Sequence, residues 1–255
     1  MPVTLSRDPD RDHVAHLELS AGDLNLLSPA LIRDLRETAA DVPAAVAVLT
    51  VTGDGDGLTG GLELDAVRDH SATEARSVLR DLRGAIRNVR DADAVTVCGC
   101  GGYALGAGLE LAMACDFRVA EQEAALGLPE VDVGLVTGIQ GGLLVRLVGL
   151  QAAKEMIYTG EPVSGEEAAE LGLLNRAVPA EEHDAALADR VGSLARKSPL
   201  VLRRQKEAFR AWRSVGVERG IDHTMELIAA CFDTHDQSEG MNAFLEGREP
   251  TFRGG

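Results

Sequence analysis

Two glutamates stand in apolar surroundings and are well suited to move protons. Glu110 lies in GGYALGAGLELAMACD, residues 101–116, and Glu130 follows Pro129 at a separation of 20 residues from Glu110. A carboxylate is costly to bury among apolar side chains. Two carboxylates in different environments can divide acid and base roles. The alternative is that Glu110 stabilises a helix N-terminus and that Glu130 is a solvated loop residue.

Two glycine-rich turns are candidate sources of backbone hydrogen-bond donors. The chain reads GGLE at residues 60–63 and LGAGLE at residues 105–110, and each turn follows an apolar run. If the turns lie side by side, the N–H groups of Leu62 and Ala107 converge on one oxygen. A helix that begins near Ala107 adds its positive end. Such a pair of amides can stabilise an oxyanion, although the glycines are also consistent with ordinary tight turns.

A third pattern is similar to a dinucleotide-binding fingerprint. Gly99, Gly101 and Ala104 form G-x-G-x-x-A, and Glu121 follows about twenty residues on. The glycines continue through Gly108, so the helix begins later than this fingerprint requires. Two strand-like and two helix-like segments also precede the motif. A nucleotide-dependent oxidoreductase is therefore the less favoured interpretation.

The composition and net charge of the chain limit the classes of partner that it is expected to bind. The 255 residues are 45% hydrophobic and 26% charged, with a net charge of −16, which is typical of a globular protein and disfavours nucleic acid or acidic lipid as a partner. No apolar run reaches bilayer length, and the start of the chain, MPVTLSRDPDRDH, has no secretory h-region. We therefore predict a cytoplasmic protein without a membrane partner. The four cysteines match no common zinc or disulfide pattern, so we expect no metal.

Alternating strand and helix signals predict an α/β fold. Ser28 and Pro29 predict the N-cap and first position of a helix, and residues 72–90 predict an amphipathic helix. Three apolar runs predict strands, at residues 13–19, 44–53 and 93–99.

The sequence pattern changes near Ser198, where strand signals end. From there a basic, amphipathic run without a strand signal extends to Phe232 and predicts a long helix. We therefore predict two regions, an α/β core with at least partly parallel sheets over residues 1–195 and a helical region over residues 196–255.

Five sequence blocks resemble, in order, those of the crotonase superfamily, the enoyl-CoA hydratase and isomerase family. The most specific, GGYALGAGLELAMACDFRVA, is similar to the signature N-G-x-A-x-G-G-G-x-E-L-A-x-x-C-D. The others are NLLSPALIRDL, LTVTGDGDGLTGGLELDAV, ALGLPEVDVGLVTGIQGGLLVRLVG and SEGMNAFLEGREPTF. The resemblance implies a spiral of ββα repeats with a C-terminal helical oligomerisation region, assembled as a homotrimer or hexamer.

The resemblance also implies an activity and residue roles. It implies an enoyl-CoA hydratase that adds water across the C2=C3 bond of an α,β-unsaturated acyl thioester, or the reverse dehydration, with the substrate carried on coenzyme A and no permanently bound cofactor. The thioester oxygen would be held by the N–H groups of Leu62 and Ala107, while Glu110 and Glu130 hold the water. The residues expected around the substrate and CoA are Leu26, Gly60, Gly61, Leu64, Gly106, Leu135 and Gly138.

Several positions depart from the family's pattern. Leu58, Glu63 and Asp65 stand where the family usually has Phe, Asp and Lys, and Thr137 stands where it has Pro. The usual Lys at position 65 often faces the nucleotide end of CoA. These departures favour an unusual acyl group, a carrier-protein thioester or a specialised biosynthetic step over ordinary fatty acid oxidation.

Two alternatives to hydration remain open. A Δ3–Δ2 enoyl-CoA isomerase would need proton transfer but no bound water. A non-catalytic protein of the crotonase fold would bind a thioester or a partner, although the presence of both Glu110 and Glu130 argues against it. Family members that shift conjugated dienes carry an additional Asp at the position of Gly138, which disfavours that reaction.

Overall fold

A computed structural model describes residues 2–255 of the chain. Within these residues the strands are β1 (Val3–Arg7), β2 (Val14–Leu19), β3 (Val48–Gly53), β4 (Val95–Gly99), β5 (Tyr103–Leu105), β6 (Phe117–Glu121), β7 (Ala125–Gly127) and β8 (Arg176–Val178). Six of them form one sheet in the order β1-β2-β3-β4-β6-β8, and β5 pairs with β7 in a second sheet.

The helices lie between and after these strands. They are α1 (Pro29–Ala40), α2 (Leu64–Val67), α3 (Ala72–Asp91), α4 (Ala107–Ala114), α5 (Gly141–Thr159), α6 (Gly165–Glu170), α7 (His183–Ala195), α8 (Pro199–Val215), α9 (Val217–Cys231) and α10 (His235–Glu246). Short 3-10 turns cover Pro129–Val133 and Ala180–Glu182. Among these helices, none combines the length and hydropathy needed to cross a bilayer.

Strand direction brings the two glycine-rich turns to one edge of the large sheet. Strand β1 is antiparallel to β2, whereas β2, β3, β4, β6 and β8 pair in parallel. The carboxyl ends of β3 and β4 therefore lie at the same edge. The first glycine-rich turn follows β3 along the chain, and the second follows β4 after the short strand β5. The prediction of an α/β fold with a partly parallel sheet is confirmed.

Helices cover both faces of the large sheet. On one face α1 packs against α3 within the main core, where Leu35 and Ile86 are fully buried. On the other face Val191 of α7 packs against Val48 and Val97. Strands buried on both sides need continuous apolar sequence, which is why the runs at 44–53 and 93–99 were readable as strands.

Local sequence signals fix the starts of the first long helices. Ser28 accepts a hydrogen bond from the backbone N–H of Leu31, and Pro29 opens α1, as the sequence predicts. Ser71 and Glu74 form a capping box at the start of α3. Cys98 and Cys100 are buried free thiols with their sulfurs 3.8 Å apart.

The prediction of one long helix after Ser198 is wrong. Helix α8 ends at Val215 because Gly216 adopts φ 86° and ψ 164°, which is not helical, and α9 begins at the next residue. Two ion pairs attach helix α8 to the segments that lead into strands β6 and β4. The buried Lys206 makes an ion pair with Asp116, and Arg210 pairs with Asp93 at 2.7 Å. The proposed division at residues 195 and 196 stays a prediction.

Candidate active site

The two glycine-rich turns contact one another. Gly61 adopts φ +93°, and a Cβ added to it would lie 2.7 Å from the carbonyl oxygen of Leu105 and 3.5 Å from the backbone nitrogen of Ala107. Only glycine combines this positive φ with so close an approach. The turns therefore lie side by side, in the arrangement on which the predicted pair of amide donors depends.

Backbone hydrogen bonds hold each turn in place. Leu27 N–H donates to the carbonyl of Gly61 at 2.8 Å. Leu105 N–H donates to the carbonyl of Thr59 at 3.1 Å. The pairing between Thr59 and Leu105 ties one turn to the other, so the spacing between them is set by the main chain.

The N–H groups of Leu62 and Ala107 remain as donors beside this contact. Neither donates to a backbone carbonyl within residues 2–255, and both residues line the same cavity. Ala107 is the first residue of α4, and Gly106 before it has φ 52°. The positive end of α4 therefore adds to the field at the Ala107 amide.

Glu110 lies in the first turn of α4, as predicted, and every residue of this helix is buried. Its side chain is 2% exposed, and its Oε1 accepts a hydrogen bond from the backbone N–H of Gln140 at 2.6 Å. Burial, with a smaller contribution from the nearby Glu130, raises the pKa of Glu110 to about 7, against the opposing effect of backbone N–H donors. The carboxyl group can therefore give or take a proton near neutral pH.

Glu130 approaches the same place from the 3-10 turn Pro129–Val133. Its Oε2 accepts a hydrogen bond from Thr137 Oγ1 at 2.9 Å. Its Oε1 would lie 3.3 Å from a Cβ added to Gly106, so the carboxyl group lies against the start of α4. The absence of a side chain at position 106 thus makes room for Glu130.

These groups share one cavity of about 430 Å³. All the residues predicted for the site line it except Leu26, whose Cδ2 lies 3.1 Å from a Cβ added to Gly60. The lining residues are Gly60, Gly61, Leu62, Leu64, Leu79, Leu82, Gly106, Ala107, Glu110, Pro129, Glu130, Asp132, Val133, Leu135, Val136, Gly138 and Ile139. The roles of these residues stay predictions.

Sequence reasoning missed part of this lining. The sequence of residues 72–90 predicts only an amphipathic helix, yet Leu79 and Leu82 of α3 line the cavity. No sequence signal distinguishes Leu79 from the packing residues of that helix, although the structure leaves it 43% exposed. Thr137 was noted only as a departure from the family's pattern, and its hydrogen bond to Glu130 had no sequence signal.

Two other places, a second cavity and the G-x-G-x-x-A turn, are weaker candidates for an active site. A larger cavity of about 690 Å³ lies near His13 and Ala45, beside the amino ends of β2 and β3, and its lining includes neither glutamate. The G-x-G-x-x-A turn is packed against its neighbour, because a Cβ added to Gly101 would lie 2.8 Å from the carbonyl oxygen of Asp56. Within residues 2–255 no group of three or more His, Cys, Asp or Glu is placed to hold a metal ion.

The sequence from residue 11 to 255 matches the family described as enoyl-CoA hydratase/isomerase. The chain belongs to this family. It is 34% identical over 233 residues to a crotonyl-CoA hydratase of Syntrophomonas wolfei, with 90% of each chain covered. It is 33% identical over 237 residues to a 2,3-dehydroadipyl-CoA hydratase of Escherichia coli, with 90% of this chain and 89% of the relative covered.

Solved structures of the family share the fold. An enoyl-CoA hydratase from Bacillus anthracis superposes with a TM-score of 0.92 at 30% identity, with all of both chains covered. The expected crotonase fold is thus confirmed.

Proposed function

We propose that this protein is an enoyl-CoA hydratase that adds water across the C2=C3 bond of an α,β-unsaturated acyl-CoA. The observation that carries the proposal is the meeting of two amides and two carboxyl groups at one cavity. Leu62 and Ala107 supply amides without backbone acceptors, and Glu110 has a pKa of about 7. Family membership and the names of two relatives support the same reaction.

The proposed chemistry follows from where charge develops. The N–H groups of Leu62 and Ala107 donate to the thioester oxygen, and they stabilise the enolate character that grows as water adds. Glu110 and Glu130 hold the water between them. One carboxylate takes a proton from the water as its oxygen bonds to C3, and a proton from the pair is delivered to C2. The product is the 3-hydroxyacyl thioester, and the reverse sequence is its dehydration.

Isomerisation of a Δ3 to a Δ2 enoyl thioester is the second candidate. The family description includes isomerases, and a carboxyl group with a pKa near 7, as in Glu110, also suits proton removal at C2 and return at C4. An isomerase needs one proton-transfer group and no nucleophilic water. A Glu130→Gln or Glu110→Gln variant that loses hydration but keeps isomerase activity would favour this candidate.

The decisive experiment follows the loss of enoyl-thioester absorbance with crotonyl-CoA. We expect turnover by the wild-type protein, and Glu110→Gln and Glu130→Gln should each lower kcat by roughly 10²- to 10⁴-fold, because each removes a group that transfers a proton. Glu166→Gln, at an exposed position at the start of α6, is the matched control and should keep wild-type activity. No turnover at high enzyme concentration would contradict the proposal.

We also propose that the chain assembles as a homotrimer or hexamer through its C-terminal helices. Four large apolar side chains of α9 and its end recur at helical spacing and are 44–62% exposed, namely Ile221, Met225, Ile228 and Phe232. Such a stripe is typical of a protein interface. Met225→Glu should lower the mass measured by light scattering to that of smaller species, whereas the control Glu226→Gln should not. A monomeric wild type would contradict the proposal.

A further inference from the structure

The larger cavity, of about 690 Å³, is lined by basic side chains, and we refer to it as the basic cavity. Five of its lining residues carry a positive charge, namely Arg7, Arg196, Lys197, Arg203 and Arg253. Only two carboxylates line it with them, which leaves a surplus of three positive charges in a chain whose net charge is −16. The cavity that holds Glu110 and Glu130 has the opposite character, because its lining includes no Lys, Arg or His.

These positive charges are not neutralised within residues 2–255. None of the five side chains makes an ion pair there, and neither do the two carboxylates of the lining, Asp12 and Glu249. Arg196 and Lys197 directly follow α7, where positive charge also offsets the negative end of the helix. Arg203 lies in the second turn of α8 and has no such role.

Hydrogen bonds between distant segments hold the walls of the basic cavity together. His13 Nε2–H donates to the carbonyl of Ala195 at 3.0 Å, which joins the residue before β2 to the end of α7. The buried carboxylate of Asp236 accepts from Ser198 Oγ at 2.6 Å and from the backbone N–H of Arg253 at 2.8 Å. The start of α8 and the last residues of the chain are therefore fixed to one another.

The lining suits a ligand that is anionic at one end and apolar at the other. Guanidinium groups bind phosphate oxygens through paired N–H donors, and several cations around one cavity match more than one negative charge. Phe252, Pro199 and Pro250 supply apolar surface in the same lining, and nucleobases stack on aromatic rings. The volume of about 690 Å³ lies within the range of small-molecule sites.

We propose that the basic cavity binds a nucleoside polyphosphate, with its phosphates at the arginines and its base against Phe252. This site is separate from the candidate active site. His13 and Ala45 of its lining precede β2 and β3, whereas the first glycine-rich turn follows β3. A strand of six residues, such as β3, spans about 20 Å. The proposal therefore does not depend on the hydratase reaction.

The first test measures the binding of ADP to the full chain by calorimetry. Arg7→Gln and Arg203→Gln should each raise the Kd of ADP by about 10-fold, because each removes a charged donor to phosphate. Arg80→Gln is the matched control, since it changes the net charge equally at an exposed position of α3 that lies outside the lining. No binding of ADP, or an equal effect of all three variants, would overturn the proposal.

The second test asks whether the base is recognised as well as the phosphates. Pyrophosphate should bind with a Kd about 10-fold higher than that of ADP, because it has no base to stack. Phe252→Leu keeps an apolar side chain and should remove most of this difference. Equal affinity of the wild-type protein for ADP and pyrophosphate would overturn the assignment to a nucleotide.

The third test separates a free nucleotide from coenzyme A, which carries an ADP group of its own. Butyryl-CoA has no double bond to hydrate, so its binding can be measured without turnover. Arg203→Gln should leave the Kd of butyryl-CoA unchanged, and a rise as large as that for ADP would overturn the proposal of a separate ligand. Binding of ADP without hydration of crotonyl-CoA would refute the hydratase and leave the nucleotide site standing.

Discussion

One wall of the candidate active-site cavity is buried main chain, whereas the opposite wall is exposed aliphatic side chains. We refer to Gly60–Leu62 with Gly106–Glu110 as the glycine wall, and to residues 129–139 as the aliphatic wall. In the glycine wall, positive φ angles and backbone hydrogen bonds fix the turns against each other. In the aliphatic wall, Val136 is 90% exposed. The comparison indicates that the amides of Leu62 and Ala107 and the carboxyl group of Glu110 stand on the wall that the main chain fixes, whereas Glu130 stands on the wall with the more exposed surface.

The largest expected effect comes from disturbing the glycine wall. Gly61→Ala places a Cβ 2.7 Å from the carbonyl of Leu105, which should push the turns apart and misplace both amide donors. We expect a loss of about 1,000-fold in kcat/KM for crotonyl-CoA, on the scale of lost oxyanion donors. Gly55→Ala is the matched control, because Gly55 has the same φ of +93° with no atom within 4 Å of the added Cβ. A similar loss in both variants would show that φ strain alone is responsible.

The second effect concerns the stability of the folded protein, which depends on the buried carboxyl group of Glu110 in the glycine wall. The pKa of Glu110 is raised to about 7 from the ordinary 4.5, so the folded protein binds this proton more tightly than the unfolded chain does. The contribution of Glu110 to the free energy of unfolding is therefore highest below pH 4.5, and it falls as pH rises to about 7. Glu110→Gln removes the ionisation and should stabilise by up to ~3 kcal/mol at pH 8, with little difference near pH 4.5. Urea unfolding at both pH values measures this, and a pH-independent difference would contradict it.

A smaller effect is expected where the aliphatic wall supports Glu130. Thr137→Val removes the 2.9 Å hydrogen bond to the Glu130 carboxyl group and should lower kcat by about 10-fold, the usual scale for a hydrogen bond to a charged group. Thr137→Ser keeps the hydroxyl and should restore most of the activity. If Thr137→Ser is as slow as Thr137→Val, the methyl packing rather than the hydrogen bond positions Glu130.

The smallest effect should follow a polar change on the aliphatic wall. Val136→Ser should alter the free energy of unfolding by no more than about 0.5 kcal/mol, because a side chain that is 90% exposed contributes little to the core. Thermal or urea unfolding checks this in the isolated protein. A larger loss would show that residues 129–139 are packed in solution, and the contrast between the walls would then be weaker than the structure indicates.

Much of the fold was predictable where local chemistry decides it. The N-cap Ser28, the apolar strands β3 and β4 and the start of α4 near Ala107 all carry short-range signals, and the structure has them. Strand β1 was not predicted, because Val3–Arg7 is short and mostly polar and lies at the sheet edge. Nor were β5 and β7, since three-residue strands acquire their identity from pairing with each other.

The candidate site likewise has residues that short sequence motifs predict and contacts that they do not. The glycine turns and Glu110 lie in contiguous motifs, so a resemblance confined to short blocks could assign them. The contact between Leu26 and Gly60 and the position of Leu79 and Leu82 beside the cavity depend on how distant segments pack, and the hydrogen bond from Thr137 to Glu130 depends on how the loop between them folds. No residue pattern within one segment encodes such contacts.

The donors at positions 62 and 107 belong to the main chain, and this has a consequence for how such a protein tolerates mutation. Every amino acid except proline brings the same N–H, so leucine and alanine can be exchanged there without removing the donor. The neighbours Gly61 and Gly106 offer no such freedom, because both have positive φ and a Cβ on either would approach Leu105, Ala107 or Glu130. A saturation mutagenesis map should therefore show its deepest intolerance one residue before each donor. Glycines without a proposed chemical role would then mark the site more sharply than the positions whose amides are proposed to hold the thioester oxygen.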